Sequence, residues 1–129
     1  MKNKLSVVLA GVVVLLLVSS SLSAHHSDSA YDTSQHLTMN GTVTEFDWTN
    51  PHVLIRFEVK DDKGKVESWI GEGSPPNTLS RSGWSRNSIK PGDQITVTGS
   101  PYRDGRKGIR IDAQRPLLVN GKAVGQAEY

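Results

Sequence analysis

Cysteine is missing from all 129 residues. That excludes disulfide staples, thiolate metal sites and thiol catalysis, and it fits an exported protein that dispenses with disulfides. Aromatic residues make up only 6% of the chain, so the position of each one carries information. Neither charge sign dominates, with 15 lysines and arginines against 13 aspartates and glutamates. The sequence has no nucleophile elbow, no glycine-rich phosphate cradle and no paired carboxylates at a useful spacing. Asp93 and Asp104 fall in turn sequences, where aspartate needs no catalytic reason. The expectation is a protein that is not an enzyme.

Long apolar runs are absent too, with one exception. Met1-Lys2-Asn3-Lys4 is a short positive start, Leu5–Val18 is apolar but for one serine, and Ser19–Ala24 is mostly small. That order predicts a secretory signal peptide over residues 1–24, hence a periplasmic or secreted protein. The run is short for a span of about 20 residues and lacks stop-transfer charges, so an uncleaved anchor is the lesser alternative and no membrane span is expected after cleavage. Cleavage is expected after Ala24, with Ser23 the near competitor. Lys2 and Lys4 leave with the peptide, so the 15 basic residues fall to 13 against 13 acidic ones. A neutral mature chain argues against nucleic acid as a partner, which would call for a basic face. The local excess at Arg103, Arg106, Lys107, Arg110 and Arg115 is interleaved with Asp104 and Asp112 and reads as a solvated loop and strand face.

The remaining residues, about 105, suffice for one compact core. Residues 25–36 are polar apart from Tyr31 and predict a loosely held N-terminal arm; residues 37–129 predict the folded domain. Leu37, Met39, Gly41 and Val43 share one parity, whereas Phe46 and Trp48 take the other. The extra residue between them predicts a β-bulge, and Gly41 suits the same curvature. Val53, Ile55, Phe57 and Val59 alternate with polar or exposed neighbours, giving a second strand. Asp61–Gly64 predicts a hairpin loop, and Lys65–Gly71 a third strand with Val66 and Ile70 inward and Trp69 on the opposite face.

Ser74 as N-cap, Pro75 at the first helical position and Gly83 past the last turn predict a helix of about two turns, with Leu79 and Trp84 meeting across its C-terminus. Lys90-Pro91-Gly92-Asp93 predicts a type II turn into a strand over Ile95–Gly99. Asp104-Gly105 turns the chain into a fifth strand, Ile109–Ala113. Leu117–Val119 with Asn120-Gly121 adds a terminal ribbon. Three strands, a short helix and two more strands, the first of them bulged, predict an all-β fold: a small five-stranded OB-like Greek-key barrel with one short helix between strands 3 and 4. A small open sandwich of the same strands is the alternative.

The ordered set His25-His26-Ser27, Gly41-x-Val43, Trp48-x-Asn50-Pro51-His52, Pro76-Asn77-x-Leu79-x-Arg81-x-Gly83-Trp84, Lys90-Pro91-Gly92-Asp93 and Arg103-Asp104-Gly105 resembles a family of short exported bacterial proteins known only as a domain of unknown function. The resemblance covers nearly all of residues 24–115. It implies an exported, single-domain, barrel-like protein and brings no activity with it.

Two groups of residues offer chemistry. His25, His26, His36 and His52 all lie early in the mature chain. A new terminus at His25 supplies an amine and an imidazole to one metal ion. A terminus at Ala24 places histidine where the amine, two amides and an imidazole form a square of nitrogens, the geometry that Cu(II) and Ni(II) prefer. A metal site on His25, His26 and His52 requires the arm to approach the corner; otherwise His52 simply hydrogen-bonds there. The second group is aromatic: Trp48, Trp69, Trp84, Tyr102 and Phe57 offer the stacking surface that OB barrels present to bases or sugars. Trp84 has a core role at the helix end, and Asn50 before Pro51 is a corner-former. Trp48, Asn50, His52 and Trp69 are therefore the candidate ligand-binding residues. The leading expectation is a non-catalytic periplasmic binding or accessory module for a small ligand or a periplasmic protein. The alternative is a copper- or nickel-binding protein.

Overall fold

The computed structural model describes residues 29–125, and the compact unit begins at Tyr31. The signal-peptide reading of residues 1–24, and His25 and His26 with it, lie outside the described residues.

The strands are β1 (Leu37–Asp47), β2 (Leu54–Lys60), β3 (Val66–Glu72), β4 (Gln94–Pro101), β5 (Gly108–Ile111), β6 (Leu118–Val119) and β7 (Lys122–Ala123), with helix α1 (Pro76–Arg81) between β3 and β4. The sheet runs β1-β2-β3-β5-β4, and β1 also pairs with β4, which closes a five-stranded barrel. The β3–β5 pairing is parallel and the other barrel pairings are antiparallel. This is the OB arrangement, with one short helix before the fourth strand. β6 and β7 form the terminal ribbon against β4, turned by Asn120 and Gly121, both at positive φ.

The β1 bulge lies where the alternation changes parity: Val43 faces Phe57 and Glu45 faces Arg56, leaving Thr44 as the extra residue. One strand thereby serves both β2 and β4. Gly41 is required beside it, because a Cβ there would lie 2.7 Å from both the Glu58 carbonyl oxygen and the Phe57 ring. The core comprises Val43, Ile55, Phe57, Ile89, Ile95, Val97, Ile109 and Leu117. Each such side chain contributes about 1.5–3 kcal/mol on burial.

Three local expectations need correction. β3 has the opposite parity: Trp69 faces buried Phe57 and packs on the core, Ile70 lies opposite exposed Arg56, and Val66 is 48% exposed. The inner face of β3 reads weakly in sequence because Gly71, opposite Ile55, contributes no side chain to it. The helix begins one residue later, with Pro75 as N-cap, Pro76 at N1 and no side-chain cap bond. Its C-terminus is as expected: Gly83 has φ +82°, and the amides of Gly83 and Trp84 donate to the carbonyls of Ser80 and Leu79, a Schellman motif. Finally, the stretch expected as a loose arm is docked from Tyr31 onward. Tyr31 is 2% exposed, pairs with Tyr102, and is followed by Asp32, whose amide donates to Pro101 at 2.8 Å. A tyrosine with a partner for both its ring and its hydroxyl overrides the polarity of its neighbours.

Candidate functional site

The chain between β1 and β2 turns through Trp48–Val53, with a cis peptide at Asn50–Pro51. Asn50 and Pro51 are exposed, and His52 is half-buried. The Nδ1 of His52 lies 3.0 Å from the Gly73 carbonyl oxygen; a carbonyl only accepts, so Nδ1 carries the hydrogen. The other ring nitrogen, Nε2, faces Glu72 Oε1 at 3.6 Å. The Tyr31 hydroxyl donates to the second oxygen of that carboxylate at 2.5 Å and lies 3.0 Å from the Tyr102 hydroxyl. The two tyrosine rings stack with centroids 4.5 Å apart, and Arg106 lies over the Tyr102 ring at 4.2 Å. Burial, and then hydrogen bonding to Glu72 and Tyr102, pushes the Tyr31 phenol well above the ordinary tyrosine range.

This corner joins four stretches of chain: the segment before β1, the β1–β2 turn, the end of β3 and the β4–β5 loop. Both His52 ring nitrogens and both Glu72 oxygens face protein groups. Tyr31 and Glu72 are absent from the sequence-based candidates, and Tyr102 stands there only as a member of the aromatic group. Tyr31 was the accessible signal, being the one large apolar side chain in a polar stretch.

The other candidates do not gather around His52. The Trp48 ring meets Phe46 edge-on at 6.0 Å. Trp69 faces the core with Lys107 Nζ at 5.2 Å from its ring, and its buried Nε1 has no hydrogen-bond partner. The two indoles therefore do not combine into one outward stacking platform. Among the described residues, no three histidine, aspartate or glutamate side chains converge as a metal-ligand set.

A cleft of about 330 Å³ opens beside the corner and shares Val53 and Gly73 with it through its lining. The Val53 amide donates to Ser74, and the Gly73 amide donates to Val53 at 2.8 Å, which fixes the shared wall. α1 forms one side, the stretch from Ile111 to Leu117 another, and Val124-Gly125 a third. Apolar lining comes from Val53, Ile55, Leu79, Trp84, Ile111, Leu117 and Val124, and polar lining from Ser74, Thr78, Ser82 and Gln114. The helix itself has no buried residue, because the space under it is open. Asp112 and Arg115 are the charged lining residues. Asp112 accepts from the Gln114 amide at 2.9 Å and is approached by Arg115 Nε at 3.5 Å and His36 Nδ1 at 3.8 Å. In sequence Leu79 and Trp84 give no sign of a shared cleft, because its opposite wall comes from residues some thirty positions away that have no motif.

A second groove of about 460 Å³ is polar, lined by Asn40, Thr42, Glu58, Lys60 and Gln94 together with Gly41 and Val66. Its cross-strand partners are already paired: Gln94 Nε2 donates to Thr42 Oγ1 at 2.9 Å. No helix among the described residues is long and apolar enough to cross a membrane.

Comparison with curated proteins gives no match. Among solved structures, the chain is similar to the mitochondrial single-stranded DNA-binding protein Rim1 from S. cerevisiae, at 9% identity and a TM-score of 0.48, over 69% of this chain and 97% of that one. In sequence, residues 12–123 match the profile of DUF6152. The chain belongs to this family of unknown function, DUF6152.

Proposed function

We propose that this protein is a non-catalytic, exported binding module whose small, partly apolar ligand occupies the cleft under α1. The observation that carries the reading is the cleft: about 330 Å³, within the size range of small-molecule sites, with an apolar wall and few polar groups. A non-catalytic role is supported by the corner, where the ionisable groups pair with one another and not with open space. Export is supported by the charge, apolar run and small residues of positions 1–24.

The test is calorimetric titration of the mature protein with 1-octanol, a neutral apolar probe, alongside Thr78→Trp. Thr78 is exposed and lines the cleft, so an indole there fills the space without disturbing the core. Binding by the parent that is lost in Thr78→Trp supports the reading; equal binding, or none in either protein, contradicts it. The copper or nickel alternative is separated on the same material by Cu(II) titration with His52→Ala and a double His25→Ala/His26→Ala variant. Amino-terminal sequencing of the processed chain gives the cleavage site and, with cell fractionation, tests export.

A further inference from the structure

The charged side chains lining the cleft differ in what they still have to offer. Asp112 is committed: one oxygen takes the Gln114 amide at 2.9 Å, and the other faces Arg115 at 3.5 Å and His36 at 3.8 Å. The Asp112 carboxylate approaches Arg115 at Nε, 3.5 Å away, and the Arg115 side chain is 60% exposed. Of the five N–H donors on a guanidinium, four lie on the two terminal nitrogens, in the fork that matches a carboxylate. With Asp112 beside Nε and the side chain this exposed, the fork is accessible to an incoming acceptor. The rest of the lining suits an aliphatic or aromatic body, with Leu79, Trp84, Ile111, Leu117 and Val124 around it.

Building on the cleft reading, we propose that the ligand class is an amphipathic organic acid, its apolar body under α1 and its carboxylate on the Arg115 guanidinium. A neutral molecule of the same shape fills the apolar space and leaves the fork to water. For an organic cation, the one carboxylate in the lining, Asp112, already faces Arg115 and His36. Arg115 is then the residue that sets the preference for the acid, and the α1 wall sets the size of the tail.

The experiment compares octanoate with 1-octanol by calorimetry on the full mature chain, its Arg115→Gln variant and its Arg115→Lys variant. A charge-assisted fork contact makes octanoate bind the parent about tenfold more tightly than octanol, or better. Arg115→Gln brings octanoate down to the level of octanol and leaves octanol unchanged, and Arg115→Lys keeps part of the preference. Added salt weakens octanoate and not octanol. Equal affinities in the parent, or an octanoate affinity indifferent to Arg115→Gln, would overturn the assignment while leaving the cleft as a binding site. If neither probe binds the parent, the cleft reading fails with it. Arg115 is largely solvent-exposed, so both variants fold, and tryptophan fluorescence checks this.

Discussion

The corner at His52 and the cleft under α1 share Val53 and Gly73 as neighbours, yet they are built on opposite principles. In the corner, polar groups satisfy one another: His52, Glu72, Tyr31 and Tyr102 form a chain of contacts from 2.5 to 3.6 Å. In the cleft, apolar side chains surround about 330 Å³ of open space. The first arrangement stabilises the fold and has little left for a ligand. The second forgoes packing that a filled core would supply, and that missing packing is what the proposed ligand would restore. The residues with the most conspicuous chemistry are thus a structural tie, and the bland ones line the proposed site.

Substitutions in the corner should therefore lower stability and leave probe binding alone. The largest effect belongs to Tyr31→Ala. It removes a buried aromatic ring stacked on Tyr102, and a loss of about 3–5 kcal/mol in denaturant unfolding is expected, with octanol affinity of the folded protein unchanged. Glu72→Leu comes next. It strips the acceptor from the Tyr31 hydroxyl and the partner from His52 Nε2, at a cost of about 1–3 kcal/mol. A smaller loss would show that the carboxylate is solvated and the tie is only aromatic.

Tyr31→Phe keeps the stack and removes the hydroxyl, for about 1 kcal/mol at neutral pH. It also changes the alkaline behaviour. The folded protein holds the Tyr31 proton more tightly than the unfolded chain does. Its contribution is intact below the ordinary tyrosine value of about 10 and is lost as pH rises beyond it, by up to about 1.4 kcal/mol per pH unit. Unfolding curves from pH 9 to 11 should fall more steeply for the parent than for Tyr31→Phe. Parallel curves would mean that the phenol titrates normally. Smallest of all, Arg106→Ala removes a cation from the Tyr102 face at an exposed position, and a change below about 1 kcal/mol is expected in the same unfolding measurement.

The fold was legible because its signals are local and physical. The parity change between Val43 and Phe46, the glycine in mid-strand, the Schellman end at Gly83 and the type II turn at Gly92 each follow from a few adjacent residues. β3 was misjudged where Gly71 left its inner face without a side chain. The site was far less legible. His52 stood out, but its partners Glu72, Tyr31 and Tyr102 come from three other stretches of chain, and only barrel closure brings them together. Trp69 looked like a surface aromatic until its pairing with Phe57 turned it inward. The cleft had no motif at all: α1 and the Ile111–Leu117 segment are individually unremarkable, and the space between them exists only in three dimensions.

The most direct test of this division between tie and site is a backbone amide shift map of the mature protein titrated with octanoate. Saturable shifts are expected at Gly73–Trp84, at Ile111–Leu117 and around Val124, with Trp48, Tyr31 and Tyr102 unmoved. Shifts centred on Trp48, His52 and Tyr102 would contradict it and make the corner the binding site.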